Sequence, residues 1–486
     1  MKKAVIFYGI FTIVTLFTTI LLTCIACNAR HENPKLLNSY VIEARLEESG
    51  KLYGKMGFTY YNQTDTTLDF LEFNLFGNAF RQDAKYQPVE ASYSHLAYYA
   101  GKSYGSMQIE SVQNCKSFSI AGEDENILKV YLSTPLEINQ AVQLEIEYTL
   151  QLAKVNHRTG ITEQAINLGN FYPIVCVYEN GKGFFNCNYY SNGDPFYSEV
   201  ANYKVKLYLP EGYIVASSGE SVQTTSTLGQ NIYQYSLNSA RDFAIVLSKN
   251  FTVQNRECNG IQLQYYYYKD SNPEKTLTLI EDCMQYFSKS FGDYLYTTYS
   301  VVQTGFCYGG MEYPAMSMVS DSLTERDYYY TIVHETAHQW WYSAVGNNEI
   351  TEAWLDEGLT EYSTASFFKN YPTYEIQYDK LIDTARSLYR IFYQLNAQLA
   401  GTVDSSLNRP INAYGEIEYY LLNYVKGMLL YDNLSTVLGE KAVFKSLQTY
   451  YKQNKNKIAT KASLLAVFSK RGQNVIESYV NGTVVI

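Results

Sequence analysis

His334-Glu335-Thr336-Ala337-His338-Gln339-Trp340, followed by Trp354-Leu355-Asp356-Glu357-Gly358, decides how this 486-residue chain is read. On a helix the two imidazoles stand at i and i+4, on one face, with Cβ atoms about 5 to 6 Å apart. One cation can be gripped by both. A catalytic zinc ion commonly takes three protein ligands and leaves a fourth position open, so a third ligand must come from elsewhere. Glu357, nineteen residues after His338, has the reach. The connection closes the first helix, turns through Gly346-Asn347-Asn348 and returns on a second helix beginning near Glu352. Glu335, beside His334, takes the general-base position.

The competing reading is an accidental pentapeptide on a buried helix. Context opposes it: two of only five histidines fall in the motif, and Trp340, Trp341 and Trp354 give it a dry setting. His31, His95 and His157 read as ordinary surface or hydrogen-bonded histidines.

Upstream, residues 31–251 read as a β-rich domain. Alternation recurs in Val142-Gln143-Leu144-Glu145-Ile146-Glu147-Tyr148 and in Tyr203-Lys204-Val205-Lys206-Leu207-Tyr208-Leu209, with turn chemistry in Asn192-Gly193-Asp194-Pro195 and Pro210-Glu211-Gly212. From 252 to 486 the pattern turns helical. Asn272-Pro273 starts a helix through Leu277, Ile280, Met284 and Phe287 that stops near Gly292. Further helices are expected over about 326–345, 352–370 and 463–479. The fold class is therefore α+β and multidomain, an antiparallel β domain followed by a mainly helical one.

A formal net charge of -10 repels phosphate backbones, so nucleic acid is excluded as a partner. Ala4 to Ala29 carries no charge, Lys2 and Lys3 precede it and Arg30 follows. Residues 1–30 thus read as a membrane anchor or lipoprotein signal, since the run reaches the ~20 residues of a spanning helix. Cys24 and Cys27 each sit in an imperfect lipoprotein box. Either way the expectation is a membrane-attached protein with its bulk outside the cytoplasm. The remaining six cysteines lack metal-type spacing and read as separate thiols, with Cys176 and Cys187 the nearest pair for a disulfide. Tyrosine is abundant, at 50 residues, which strand and core filling explains. No pattern assigns a self-association surface.

The two zinc-type blocks resemble the M1 family of zinc metallopeptidases, in the group whose third ligand is a glutamate. Gly309-Gly310-Met311-Glu312-Tyr313-Pro314 is similar to that family's upstream exopeptidase motif, and Tyr424-Val425-Lys426-Gly427 to the segment carrying its catalytic tyrosine. The resemblance is strong over about 255–486. It is looser before that, at Tyr172-Pro173 and Gly193-Asp194-Pro195-Phe196, which look like the end of the family's saddle-shaped β domain.

The resemblance implies a thermolysin-like catalytic domain at 252–486 that binds one zinc ion and removes N-terminal residues from peptides. Glu312 would pair with the substrate's free α-amino group, and Gly309, Gly310 and Met311 would let a peptide backbone approach. Tyr424 would donate its phenolic hydrogen to the oxygen gaining charge. Glu361 is either an acceptor supporting a zinc-binding histidine or a solvated carboxylate. Tyr313 departs from the family's common asparagine, which puts the first subsite's shape in question. Two rival readings remain: an endopeptidase of the same clan, and a catalytically silent binding or scaffold protein on the same fold.

Overall fold

Strict alternation over 38–61 dictates paired strands with one wet face, and the computed structural model shows them. It describes residues 36–227, 229–401 and 403–482. Asn38–Leu46 and Lys51–Tyr61 are antiparallel neighbours, with Tyr40, Ile42, Ala44, Met56 and Phe58 turned inward. They lie in a seven-stranded sheet of order 220–227, 230–240, 201–209, 38–46, 51–61, 141–151, 106–113. All its neighbours are antiparallel except 38–46 beside 201–209. Two four-stranded sheets and a two-stranded one (Tyr178–Glu179 with Gly183–Phe184) complete this half, which is β-rich as the alternation requires.

After Phe251 comes a mixed five-stranded sheet, order 252–258, 261–267, 298–304, 316–320, 310–311, so that Gly310–Met311 forms a short edge. Helices follow: α1 (Pro273–Phe291), α2 (Glu325–Ala337), α3 (Glu357–Asn370), α4 (Tyr378–Ala400), α5 (Gly427–Leu438), α6 (Glu440–Asn454) and α7 (Lys470–Val480). The ends of α1 follow the expected signals: Asn272 accepts a hydrogen bond from the Lys275 amide, Pro273 occupies the first turn, and Gly292 ends it.

Three apolar clusters fill Asn38–Ile486, which forms one compact unit. One lies inside the β half and one among the helices. The third mixes residues of both, with Phe80, Val155 and Val246 against Tyr266, Met311 and Met318. Arg241 adds a polar tie. It is buried; Nε donates to the Tyr342 carbonyl (2.9 Å), Nη1 to that of Ser198 (3.0 Å) and Nη2 to that of Lys457.

Three helix boundaries differ from expectation. The helix expected to reach 345 ends at Ala337, and Gln339–Ala344 form a wide turn with Trp341 and Tyr342 outside helical geometry. Arg241 and the Val345–Gly346 strand, paired with Lys457–Ile458, take over those backbone groups. The second helix begins at Glu357 rather than near 352, because Asp356 accepts from the Glu357 amide and caps it there. The stretch expected over 463–479 divides into Lys461–Leu465 and α7, which Ser469 caps.

The membrane-anchor reading of residues 1–30, and His31, lie outside the described residues. Among the described residues no helix is long and apolar enough to cross a membrane. Cys115, Cys176, Cys187, Cys258, Cys283 and Cys307 are free thiols, so the Cys176–Cys187 pairing is not made.

Helices α3 and α5 cross at glycines. A Cβ on Gly427 would lie 2.6 Å from the Gly358 Cα, and one on Gly358 would lie 2.7 Å from the Gly427 Cα. Backbone cannot yield as a flexible side chain does. Gly427→Ala is expected to cost about 1 to 3 kcal/mol of stability, read as a lowered urea midpoint with an unchanged slope.

Candidate metal centre

Helix α2 carries His334 and Glu335 one residue apart, and His338 closes its last turn. The two histidine Nε2 atoms lie 3.1 Å apart. Glu357 opens α3, and its Oε2 stands 3.4 Å from His334 Nε2 and 3.3 Å from His338 Nε2. Donors about 2.0 to 2.1 Å from a tetrahedral ion are about 3.3 to 3.4 Å apart, so these three atoms fit zinc. All three residues are buried, and their donor atoms lie within 4.8 Å of one another. The later start of α3 matters here, because it puts the ligand carboxylate at a helix N-terminus, where the dipole favours negative charge.

Each imidazole is oriented from behind. His338 Nδ1 is 2.9 Å from the Trp341 carbonyl and 3.2 Å from Thr360 Oγ1, so that carbonyl accepts the Nδ1 proton and Nε2 faces the centre. Glu361 Oε1 lies 3.3 Å from His334 Nδ1, while Tyr330 donates to its other oxygen. Glu361 is 8% exposed, so the solvated alternative does not describe it. Burial works against charge on His338, but Glu312 and Glu357 outweigh it and raise the imidazole to about 10. Burial likewise opposes charge on Glu357, and the histidines hold it down at about 2.

Glu335 is 4% exposed, and its Oε2 has no hydrogen-bond partner. Burial raises it to about 7 against the pull of the two histidines. The edge strand presses on it: a Cβ at Gly310 would lie 2.5 Å from Glu335 Oε1. Glu312, just past Met311, is 4% exposed with Oε1 unpartnered, and burial and Asp194 raise it well above the carboxylate range. The Tyr424 hydroxyl donates to Glu357 Oε1 at 2.5 Å, and its ring stacks on that of His334 with centroids 6.0 Å apart. Gly309, Gly310, Glu312, His334, Glu335, His338, Glu357, Glu361 and Tyr424 line one cavity; Met311 is buried beside it.

Two residues in this cavity were not singled out from sequence. Asp194, read as turn chemistry, has a carboxylate oxygen within 4.8 Å of those of Glu312 and Glu357. Arg158, almost fully buried, pairs with it and donates to the Tyr189 hydroxyl at 2.8 Å. The one available signal was Gly193-Asp194-Pro195-Phe196, already similar to the family's β domain. Tyr313 does not face the cavity: its hydroxyl donates to Asn170 Oδ1 at 2.8 Å inside the core, so it leaves the first subsite untouched. His157 is buried and bonded to the Pro88 carbonyl, and His95 is exposed.

Two imidazoles and a carboxylate from neighbouring segments, with a buried glutamate alongside, have the donor set of a zinc site of the glutamate-ligand type. Residues 274–482 match the family model described as Peptidase family M1 domain. Aminopeptidase B of Homo sapiens is 27% identical over 201 residues, covering 37% of this chain and 28% of that protein. Leucine aminopeptidase 2 of Candida albicans is 27% identical over 187 residues, covering 35% of this chain and 30% of that protein. The matched stretch thus spans less than a third of the length of these relatives. An M1 zinc metallopeptidase from Deinococcus radiodurans shares the fold, with a TM-score of 0.63 at 15% identity over 92% of this chain and 94% of that one. Residues 274–482 are thus similar to the M1 peptidase domain, whose implied cofactor is one zinc ion.

Zinc must displace the protons that Glu357 holds on the imidazoles. Uptake by metal-free protein should therefore release protons near neutral pH, seen calorimetrically as a buffer-dependent heat, and weaken as pH falls. His338→Ala should reduce bound zinc well below one equivalent by elemental analysis.

Proposed function

We propose that this chain is a zinc-dependent aminopeptidase acting on peptides, with Glu335 as general base. The observation that carries this reading is one cavity joining the three-donor centre to two buried, unpartnered carboxylates, Glu335 and Glu312. Zinc held by His334, His338 and Glu357 supplies Lewis acidity to a water molecule and a peptide carbonyl.

The chain's own groups do the rest. Glu335 takes the proton from the attacking water and later returns it to the leaving amine; a carboxylate raised toward neutrality suits both transfers. Tyr424 donates its hydroxyl hydrogen to the carbonyl oxygen as that oxygen gains negative charge. Glu312 receives the substrate's α-ammonium, with Asp194 close by, and so fixes cleavage one residue from the end. The bare edge at Gly309 and Gly310 leaves room for the peptide's main chain, which can add alongside it as a strand.

The reading extends to organisation. A β-rich domain at 31–251 walls the cleft, a thermolysin-like domain at 252–486 carries the chemistry, and residues 1–30 tether the protein to a membrane with its bulk outside the cytoplasm. Release of the chain by detergent but not by salt tests the tether.

Glu335→Gln should keep about one zinc per chain yet lower kcat by roughly 10² to 10⁴, and Tyr424→Phe by about 10² to 10³ with bound zinc unchanged. Normal turnover in Glu335→Gln would remove the general-base assignment. The endopeptidase alternative is separated by an N-acetylated peptide, which an enzyme that binds the α-ammonium through Glu312 should leave uncut. Cleavage at the free peptide's rate would favour the endopeptidase.

A further inference from the structure

Glu312 can meet an α-ammonium only if its carboxyl is held in place, and its main chain does the holding. Before it, Gly310 and Met311 pair with Val319 and Met318 at the sheet edge. After it the strand stops and the chain turns: the Met316 amide donates to the Tyr313 carbonyl at 3.0 Å, and Ala315 takes a left-handed φ of 59°. Side chains from elsewhere must fix that turn.

Two of them grip it, one from each half of the molecule. Gln339, next to His338, spans the turn with its amide: Nε2 donates to the Tyr313 carbonyl at 3.1 Å and Oε1 accepts from the Ala315 amide at 2.9 Å. The other grip comes from the β half, where Asn170 Oδ1 accepts from the Tyr313 hydroxyl at 2.8 Å. Asn170 is aimed in turn by Asp242, whose Oδ2 accepts from its Nδ2 at 2.6 Å while Oδ1 accepts from the Tyr172 hydroxyl (2.8 Å) and the Phe243 amide (2.7 Å). Burial raises Asp242 to about 7, and those three donors pull toward the ionised form. An ionised carboxylate only accepts, so the Asn170 amide nitrogen faces Asp242 and its oxygen faces the phenol. Tyr313, Asn170 and Asp242 are all buried. The backbone is shaped to admit the phenol: a Cβ on Gly169 would overlap the Tyr313 hydroxyl.

We propose that Tyr313 is the positioning residue of the amine site, and that through its hydroxyl the β half, by way of Asn170 and Asp242, holds Glu312 where a substrate's α-ammonium meets it. Tyr313 stays out of the cavity and acts through the residue before it. This rests on the aminopeptidase reading above and deepens it. Packing confines a ring to a volume, whereas a hydrogen bond at its tip fixes its direction. Close-packed interiors transmit displacement, so a ring that tilts when Asn170 lets go carries the Tyr313 main chain, and Glu312 with it.

The test uses two zinc-binding inhibitors that differ only at the amine, leucine hydroxamate and its desamino analogue, titrated calorimetrically into zinc-loaded protein. The unmodified protein should bind the amine-bearing compound about tenfold or more tighter. In Tyr313→Phe that preference should shrink by about fivefold or more, while the desamino compound binds as before. With leucyl-coumarin amide the same variant should raise KM by more than it lowers kcat. Asn170 stands at a left-handed φ of 53°, so Asn170→Gly keeps the backbone while deleting the acceptor. It should show the same loss, and Tyr313→Phe/Asn170→Gly should lose no more than either alone. Should Tyr313→Phe fold poorly, Asn170→Gly carries the test. Equal weakening of both compounds, or an amine preference that survives both variants, would overturn the inference and leave the aminopeptidase standing. No amine preference in the unmodified protein would remove the aminopeptidase reading and this inference with it.

Discussion

The contact between Gly358 and Gly427 is the constraint on which the centre depends. With no side chain on either, α3 and α5 approach backbone to backbone. Gly358 follows Glu357 directly, and Gly427 lies three residues past Tyr424, so one close crossing sets the metal ligand and the phenol that bonds it. Ordinary packing distances would hold the helices further apart, and a 2.5 Å hydrogen bond does not stretch across such a gap. The other two ligands come from α2 and its C-cap, and Trp341 in the turn that follows reaches α3 through Ser363 at 2.9 Å. Three helices are thereby fixed around one point.

Sequence made the ligand set legible because its spacing is local. His334 and His338 are one helical turn apart, and Glu357 follows on the next long helix, so periodicity and a carboxylate at workable separation suffice. The caps of α1 were legible for the same reason, as were the strands whose alternation puts Ile42, Met56 and Ile146 inside. The general β-then-helical order followed from those patterns alone.

What escaped was decided by contacts between distant segments. The helix through the zinc motif was expected to run on, yet it closes at Ala337, and Arg241, about a hundred residues earlier, donates to the Tyr342 carbonyl in the turn that follows. A start near 352 ignored Asp356, a capping residue hidden inside the motif itself. Asp194 sat in a Gly-Asp-Pro turn signature, and only the burial of Arg158 turns its carboxylate to account. Tyr313 invited a role in the subsite through its neighbours, but Asn170 draws its hydroxyl the other way. No periodicity encodes such pairings.

The seam between the β half and the helices rests largely on groups that do not titrate. Arg241 donates to carbonyls, Asn192 donates to the carbonyls of Ile411 (3.2 Å) and Tyr414 (2.8 Å), and the Thr304 hydroxyl donates to Asn167 at 2.6 Å. Amide and hydroxyl bonds of this kind keep their form from acid to alkaline solution, and ionic strength screens them far less than ion pairs. The cleft they frame is crowded with acid groups whose charge shifts with every proton or ligand taken up. Its electrostatic state can therefore swing widely while its width stays put.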